Sequence, residues 1–294
     1  GGDILIDNDG IFFSEDPDSL RTTGIGSITL NQWEGGSIQN AVDAVENTGT
    51  GLNTINVGPG TFAESVTVYE DNFLLKGNNF GINPNTQVRN TETLIQPSTG
   101  FDGTAFGFLL TGNNITVDGF SMDTEGAGVA MSGGSGYSVL NNIITTYDAV
   151  DALDAGIQGT DASDVTVQYN KIDVVGNDGM NFSGGGNLTI WDNTVNSTQT
   201  AGVYLTGVNA SSIINNDVNN TGTGGFGGGD GISVNSGTGL HFISSNHIGT
   251  LGAANNIQGN GITIHDTAAA IVIDNVIANA TGNGVFVDPS PNVS

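Results

Sequence analysis

SVLNNII (residues 138–144), VTVQYNKI (165–172), LTIWDNTV (188–195) and SIINNDV (212–218) share one pattern: an alternating apolar strand, a bend with Asn, and a second short strand. FISSNHI (242–248) and IVIDNVI (271–277) continue the pattern. The Asn of each copy follows the previous one by 23 to 30 residues. These residues are Asn142, Asn170, Asn193, Asn216, Asn246 and Asn275. A repeat of this length indicates a stacked architecture rather than an ordinary globular domain.

A second pattern, Gly-apolar-any-apolar, alternates with the first. Its copies are GFLL from 107, GVAM from 128, GMNF from 179, GVYL from 202, GISV from 231, GITI from 261 and GVFV from 284, with a degenerate GIQG from 156. Successive copies start 21 to 30 residues apart. Because both patterns keep the same register, they belong to one repeating unit of about 23 residues.

Three short strands per unit, with Gly or Asn at the corners, predict an all-β fold: a single-stranded right-handed parallel β-helix of about 23-residue coils. Alternating Val and Ile turn one side chain of each pair inward. We expect each corner Asn to tolerate a left-handed backbone and to hydrogen bond to the amides above and below. Gly119 of ITVDGFSM is expected to take the same place one coil earlier.

The N-terminal third is expected to begin the same column and to close its end. In GSIQNAVDAVENTG the apolar residues Ile38, Val42 and Val45 share one helical face. Ser37 is the expected N-cap of this helix, which we place near residues 37 to 47. Such a helix can cover the open end of a stacked column, as a terminal repeat must.

Two blocks of the sequence resemble a known family. SIQNAVDAV followed by INVGPGTFAESVTV resembles the opening of pectinesterase-like and other pectate-lyase-like right-handed β-helix proteins. The Asn-cornered coils resemble the generic parallel β-helix repeats of carbohydrate-binding and sugar-processing proteins. Together they cover nearly the whole chain, so we expect one domain over 1–294, with the first strand and cap in 1–50 and the coils in 51–294. The resemblance implies architecture rather than activity, because this fold hosts pectinases, lyases, epimerases, tailspikes and adhesins.

The charge balance limits the classes of partner that the chain is expected to bind. Four Lys and Arg face 30 Asp and Glu, which gives a formal net charge of −26. This argues against nucleic acid, because phosphate binding needs clustered cations, and long-range repulsion disfavours polyanionic glycans. The sequence has no Cys and no run of about 20 apolar residues that would predict membrane insertion. It begins with Gly-Gly and shows no signal peptide, which we interpret as a piece of a longer protein.

Asp178 and Asp230 are the candidate catalytic residues. Each precedes a repeat glycine, two coils apart with Ala201 between them. At about 4.8 Å per coil their carboxylates would lie roughly 10 Å apart, near the upper end of the roughly 6.5 to 9.5 Å of an inverting acid/base pair. The Asp pair and Gly-His-Gly block of polygalacturonase-type hydrolases are missing, and the scarcity of Arg and Lys argues against a uronate lyase. Asp before Gly is also ordinary turn chemistry, so a structural role stays open.

The variable third residue of the glycine pattern should face outward and form a row along the column. The row consists of Gln158, Asn181, Tyr204, Ser233 and Thr263. Polar groups with one aromatic ring suit a neutral sugar, although an ordinary solvated face is the alternative. His265, just beyond GITI, lies on the same face and is a further ligand-binding candidate. We expect the other histidines, His241 and His247, to be surface polar residues.

The longer coils carry their extra residues on one side, in TTYDAVDALDA, NNTGTGGFGGGD and GTLGAANNIQGN, and such insertions often mark a binding face. Asp148, Asp151 and Asp154 of the first insertion are candidate Ca²⁺ ligands, with solvated loop acids as the alternative. The second insertion includes GTGGFG, a formal match to the dinucleotide-binding G-x-G-x-x-G. Because no helix is predicted after it, we do not expect a dinucleotide site.

These features favour a non-catalytic module of an extracellular or cell-surface protein of bacterial type, adhesive or structural, with neutral glycan as the expected partner. The first alternative is a polysaccharide-active enzyme, a hydrolase rather than a lyase, that uses Asp178 and Asp230. The second alternative is a self-stacking filament subunit that associates through its C-terminal coil end, since an exposed strand edge templates strand addition.

Overall fold

The computed structural model describes residues 4–8, 28–45, 51–97, 105–146, 155–174, 176–223, 229–249 and 257–288. These residues form a right-handed parallel β-helix with about nine coils of about 25 residues, as the repeat predicts. Each complete coil contributes one strand to each of three sheets, and the strand pairing within the described residues is parallel throughout.

The three sheets run along the column, and their strands are numbered in chain order. The first sheet contains β1 (Ile4–Asn8), β2 (Ile28–Gln32), β3 (Asn53–Val57), β6 (Phe73–Lys76), β9 (Ile115–Asp118), β12 (Ser138–Leu140), β15 (Ser163–Gln168), β18 (Gly186–Trp191), β21 (Ser211–Ile214), β24 (Leu240–Ser244) and β27 (Ala269–Ile273). The second contains β4 (Gly60–Phe62), β7 (Thr93–Ile95), β10 (Ser121–Thr124), β13 (Ile143–Thr146), β16 (Lys171–Val174), β19 (Thr194–Asn196), β22 (Asp217–Asn219), β25 (His247–Ile248) and β28 (Val276–Ile277). The third contains β5 (Val66–Val68), β8 (Phe108–Leu110), β11 (Val129–Ser132), β14 (Ile157–Thr160), β17 (Met180–Ser183), β20 (Val203–Thr206), β23 (Ile232–Asn235), β26 (Ile262–His265) and β29 (Val285–Asp288).

The interior of the column is apolar because alternate residues of each strand face it. Inward side chains stack directly from coil to coil: Val167 pairs with Ile190, Ile190 with Ile213, and Ile213 with Ile243. All four are fully buried. Each coil therefore buries its apolar face only through contact with its neighbours, as expected for a solenoid.

A ladder of Asn side chains joins the coils at the corner between the first and second sheets. The backbone N–H of Asn170 donates to Asn193 Oδ1 at 2.9 Å, and Asn170 Nδ2 donates to the same oxygen at 3.0 Å and to the Val139 carbonyl at 2.8 Å. The same amide-to-amide bond links every consecutive pair of Asn142, Asn170, Asn193, Asn216, Asn246 and Asn275. The predicted ladder is confirmed.

The left-handed residue of this corner precedes the ladder Asn, so the prediction that one Asn performs both tasks is wrong. Asn141 and Asp192 have φ angles of 54° and 55°, whereas the ladder residues after them do not adopt positive φ. Gly119, with φ of 83°, occupies this preceding position rather than the ladder position. Phe120 stands in the ladder position, where its N–H donates to Asn142 Oδ1 at 2.9 Å.

The repeat glycine is required by space rather than by backbone conformation. A Cβ at Gly202 would lie 2.2 Å from Val218 Cγ1 and 2.7 Å from the carbonyl oxygen of Gly231. Gly202 does not have a positive φ. At Gly284, the same position in the last described coil, nothing lies within 4 Å of an added Cβ.

One helix is present in the described residues, α1 (Ile38–Ala44). It packs against β2, β3 and β5 at the N-terminal end of the column. The predicted N-cap is confirmed, because the Ser37 side chain accepts the N–H of Asn40. Glu64 completes the cap: its carboxylate accepts the N–H groups of Ile38 at 2.7 Å and Gln39 at 3.1 Å. A carboxylate is favoured there by the helix dipole.

Arg89 fastens the long connection between β6 and β7 to the coils, a role that the sequence analysis did not assign. Its guanidinium makes two 2.8 Å hydrogen bonds to Glu92. It also donates to the carbonyls of Asn141 at 2.6 Å and Phe120 at 3.2 Å. The connection is therefore held over the Asn corner of the neighbouring coils.

His241 lies inside the column, so the expectation of a surface residue is wrong for it. The side chain is fully buried, and Nδ1 lies 2.9 Å from Oγ of Ser211, its partner on the preceding coil. Nε2 is buried without a hydrogen-bond partner in the part of the chain that the structure describes. Burial lowers the pKa of His241. His247 is exposed, as predicted.

Gly202→Ala should destabilise the column, because the added methyl group overlaps a neighbouring side chain and a carbonyl oxygen. We expect a loss of about 1–3 kcal/mol in the free energy of unfolding, measured by chemical denaturation. Gly284→Ala is the matched control, because its Cβ meets open space; we expect a change within about 0.5 kcal/mol. Equal effects at the two positions would contradict the steric account.

Mild acid should destabilise the fold through His241. Its pKa is lower in the folded chain than the value of about 6.5 expected in the unfolded chain. Above that pH both states are neutral. As the pH falls below it, the unfolded state binds a proton first, so the free energy of unfolding drops by up to about 1.4 kcal/mol per pH unit until the folded pKa is passed.

The measurement is the free energy of unfolding between about pH 8 and about pH 5 for the unmodified chain, His241→Gln and His247→Gln. In His241→Gln the free energy of unfolding should no longer show this decrease with falling pH, whereas the exposed control His247→Gln should still show it. The same slope in all three proteins would show that His241 is not responsible.

Candidate functional site

The residues in front of the repeat glycines surround an open pocket where the third-sheet strands begin. The pocket has a volume of about 270 Å³. It is lined by Asn177, Asp178, Thr200, Ala201, Tyr204, Asp230 and Ser233. The fold therefore brings together both predicted catalytic residues and two of the six predicted ligand-binding residues.

Asp178 is buried, with 5% of its surface exposed, and both carboxylate oxygens accept hydrogen bonds. Oδ1 accepts the Thr200 hydroxyl and, at 2.9 Å, the Ala201 N–H. Oδ2 accepts the Asn181 amide at 2.8 Å. Burial raises the pKa of Asp178, while these three hydrogen bonds oppose the shift. Since each oxygen offers two acceptor positions, about one is left for a ligand.

Asp230 is half-buried, and its Oδ1 accepts the N–H of Asn260 at 2.7 Å. Asn260 Oδ1 in turn accepts the N–H of Asn283 at 2.8 Å. Asp178, Asp230 and Asn260 thus perform one corner role: each precedes a repeat glycine and accepts the N–H of the corner residue one coil further on. Because Asn serves this role as well as Asp, the fold does not require the negative charge.

The predicted row is one register column. Strand pairing joins Gln158 to Asn181, Asn181 to Tyr204, Tyr204 to Ser233, and Ser233 to Thr263. Three members are half-buried, whereas Ser233 and Thr263 are covered by neighbouring residues and are only 5% and 8% exposed. Both hydroxyls hydrogen bond within the chain, to Asn235 Nδ2 and Asn260 Nδ2, each at 3.0 Å.

Four of the six predicted ligand-binding residues lie outside the residues that line the pocket: Gln158, Asn181, Thr263 and His265. His265 is half-buried, and its Nε2 lies 3.4 Å from Asp288 Oδ2. It follows Thr263 by two residues, so it lies on the same face of β26. Ligand binding by these four residues, on the surface beside the pocket, stays a prediction.

The predicted Ca²⁺ ligands Asp148, Asp151 and Asp154 lie outside the described residues, as does most of GTGGFG. Within the ranges that the structure describes, no group of three or more acidic or histidine side chains is placed to hold a metal ion. The calcium site therefore stays a prediction. In the same ranges no helix is long and apolar enough to cross a bilayer.

Asn177 and Thr200 complete the pocket wall and were not among the residues predicted from the sequence. The Thr200 hydroxyl lies 2.8 Å from Asn177 Oδ1 in addition to its contact with Asp178. Both residues stand two positions before a repeat glycine. A search for polar residues at that position, as well as at the position next to Gly, would have found them.

A family model described as a right handed beta helix region matches residues 87–248, which is more than half of the chain. The chain belongs to the right-handed β-helix family. No curated protein matches the chain. The family describes an architecture, and the matched residues include the Asn ladder from Asn142 to Asn246 and the pocket around Tyr204.

Several solved structures are similar to this chain. The surface protein and adhesin PfbA of Streptococcus pneumoniae is 12% identical over 87% of this chain and 94% of that one, with a TM-score of 0.48. The Dettilon tailspike protein gp208 is 15% identical over 97% of this chain and 60% of that one, with a TM-score of 0.48. The A-module of mannuronan C-5 epimerase AlgE6 of Azotobacter vinelandii is 11% identical over 91% of this chain and 92% of that one, with a TM-score of 0.26.

Proposed function

We propose that the chain is a non-catalytic, glycan-binding module of an extracellular or cell-surface protein, and that the pocket around Tyr204 binds a neutral sugar. The observation that carries the proposal is the pocket, in which a half-buried aromatic ring stands beside polar groups from neighbouring coils. A sugar offers hydroxyl groups to such polar atoms and a C–H face to the ring.

The charges at the pocket support a neutral sugar rather than an acidic one. Asp178 and Asp230 line the pocket, and its lining residues include no Lys or Arg. A ligand carboxylate would meet like charges there, in a chain whose formal net charge is already −26. The hydroxyl groups of a neutral sugar instead donate charge-assisted hydrogen bonds to the carboxylate oxygens.

The contacts of Asp178 support binding rather than turnover. A general acid has to reach the glycosidic oxygen with its carboxyl group. Asp178 is buried, and its oxygens are held by Thr200, Ala201 and Asn181. These contacts fix it as an acceptor in the pocket wall.

A glycoside hydrolase is the alternative, and one observation favours it. Burial raises the pKa of Asp178, which is the direction that a general acid requires. Asp230 lines the same pocket. In such an enzyme Asp178 would protonate the leaving group, and Asp230 would activate the attacking water.

Tyr204→Ala should weaken the binding of neutral glycans by about tenfold or more, because the stacking face is lost. Tyr204→Phe should bind within about threefold of the unmodified chain, because the ring remains. Ligands are selected on an array of neutral glycans, and their affinities are measured by calorimetry. Tyr69→Ala, at an exposed tyrosine outside the pocket, is the matched control. The proposal fails if no neutral glycan binds or if Tyr204→Ala binds as tightly as Tyr69→Ala.

The ligands found in this way also separate binding from hydrolysis. When the unmodified protein is incubated with an oligosaccharide that it binds, no new reducing ends should appear. If reducing ends appear and Asp178→Asn or Asp230→Asn slows their release by about 10²-fold or more, the hydrolase is the correct assignment. Asn is a suitable substitution, because Asn260 fulfils the same corner role, and melting temperatures verify that the fold is kept.

A further inference from the structure

A second pocket lies at the N-terminal end of the first sheet. Asn31, Asn56 and Lys76 occupy one register column on β2, β3 and β6, and Asn56 Nδ2 donates to Asn31 Oδ1 at 2.8 Å. With Trp33 and Phe80 they line a pocket of about 420 Å³. This volume lies within the range of small-ligand sites and accommodates one or two sugar rings.

Trp33 and Phe80 are the aromatic walls of this pocket. They are 44% and 46% exposed, although burial of such large rings is strongly favourable. Both are held in place. A Cβ at Gly58 would lie 2.4 Å from Cε3 of Trp33, so the indole packs closely on the glycine backbone. Phe80 lies in a turn, where its N–H donates to the Gly77 carbonyl at 3.0 Å.

Lys76 brings a positive charge into the pocket. Its Nζ lies 4.5 Å from the centroid of the Phe80 ring, within the cation–π range. Asp118 is its register partner, and the charge of Lys76 partly offsets the rise in the pKa of Asp118 that burial causes. Among the described residues no ion pair joins the two: Asp118 Oδ1 accepts the Gly81 N–H at 3.0 Å and the Asn141 amide at 2.9 Å. The ammonium group therefore retains the capacity to bind a carboxylate of a ligand.

We propose that this pocket binds a sugar that carries a single carboxylate. Lys76 supplies the ion partner, Trp33 and Phe80 supply the stacking faces, and the amides of Asn31 and Asn56 supply donors and acceptors for hydroxyl groups. This site goes beyond the neutral-sugar pocket, since it lies on other coils and carries the opposite charge.

The net charge of the chain favours a ligand with one carboxylate over a ligand with many carboxylates. A polyuronate would bring a row of anions along a surface with a formal charge of −26, and only one of them could reach Lys76. At physiological salt the screening length is about 8 Å, so an isolated carboxylate responds mainly to the nearby ammonium group.

The test uses tryptophan fluorescence. The chain contains two Trp residues, Trp33 and Trp191, so Trp191→Phe leaves Trp33 as the only reporter. In this background the ligands are methyl glucuronoside, its methyl ester and methyl glucoside, at about 150 mM salt. Methyl glucuronoside should change the Trp33 emission and bind about tenfold more tightly than the two neutral sugars, because only it can pair with Lys76.

Lys76→Gln should remove the preference for the acidic sugar, and Lys76→Arg should retain most of it. Lys171→Gln, at the exposed lysine of β16, is the matched control and should leave the preference unchanged. Tyr204→Ala should also leave it unchanged, so a failure here is distinct from a failure of the neutral-sugar pocket. The proposal is overturned if the acid binds no better than its ester, if Lys76→Gln keeps the preference, or if folded Lys76→Arg loses it.

Discussion

The amide-to-amide hydrogen bond of the corner Asn residues is the interaction on which the rest of the structure depends. Each ladder Asn from Asn142 to Asn246 is buried, donates to the next coil and accepts from the previous one. Since an unpaired buried amide is costly, a coil that shifted by one residue would break bonds on both sides. The ladder therefore fixes the register, and the register decides which side chains face the core and which face a ligand.

Both candidate sites follow from this fixed register. Residues at one repeat position stand in a column along the protein. A substitution to a polar residue in one coil therefore places that side chain beside the equivalent residues of the neighbouring coils. On the third sheet this gathers carboxylates and hydroxyls around Tyr204. On the first sheet it gathers two amides and a lysine beside two exposed rings. The scaffold is common to both pockets, and their opposite charges come from a few substitutions within it.

The sequence predicted the coils, the ladder and the helical cap, because each gives a periodic or local signal. The predicted position of Gly119 was wrong by one residue. Gly and Asn both suit a left-handed corner, so the sequence does not distinguish the left-handed position from the ladder position that follows it. It missed the burial of His241, because LHFIS has apolar residues on both faces of the strand. The pocket of Trp33 and Lys76 lies before the regular repeats, so no period connects its residues.

The corner residues before the repeat glycines have a consequence for how such a surface can diversify. Asp178, Asp230 and Asn260 form the same backbone contact with either a carboxylate or an amide. Exchange of one for the other changes the local charge by one unit while the main chain keeps its path. Along this edge the column is therefore an array of positions whose electrostatic character can be reset coil by coil, almost independently of folding.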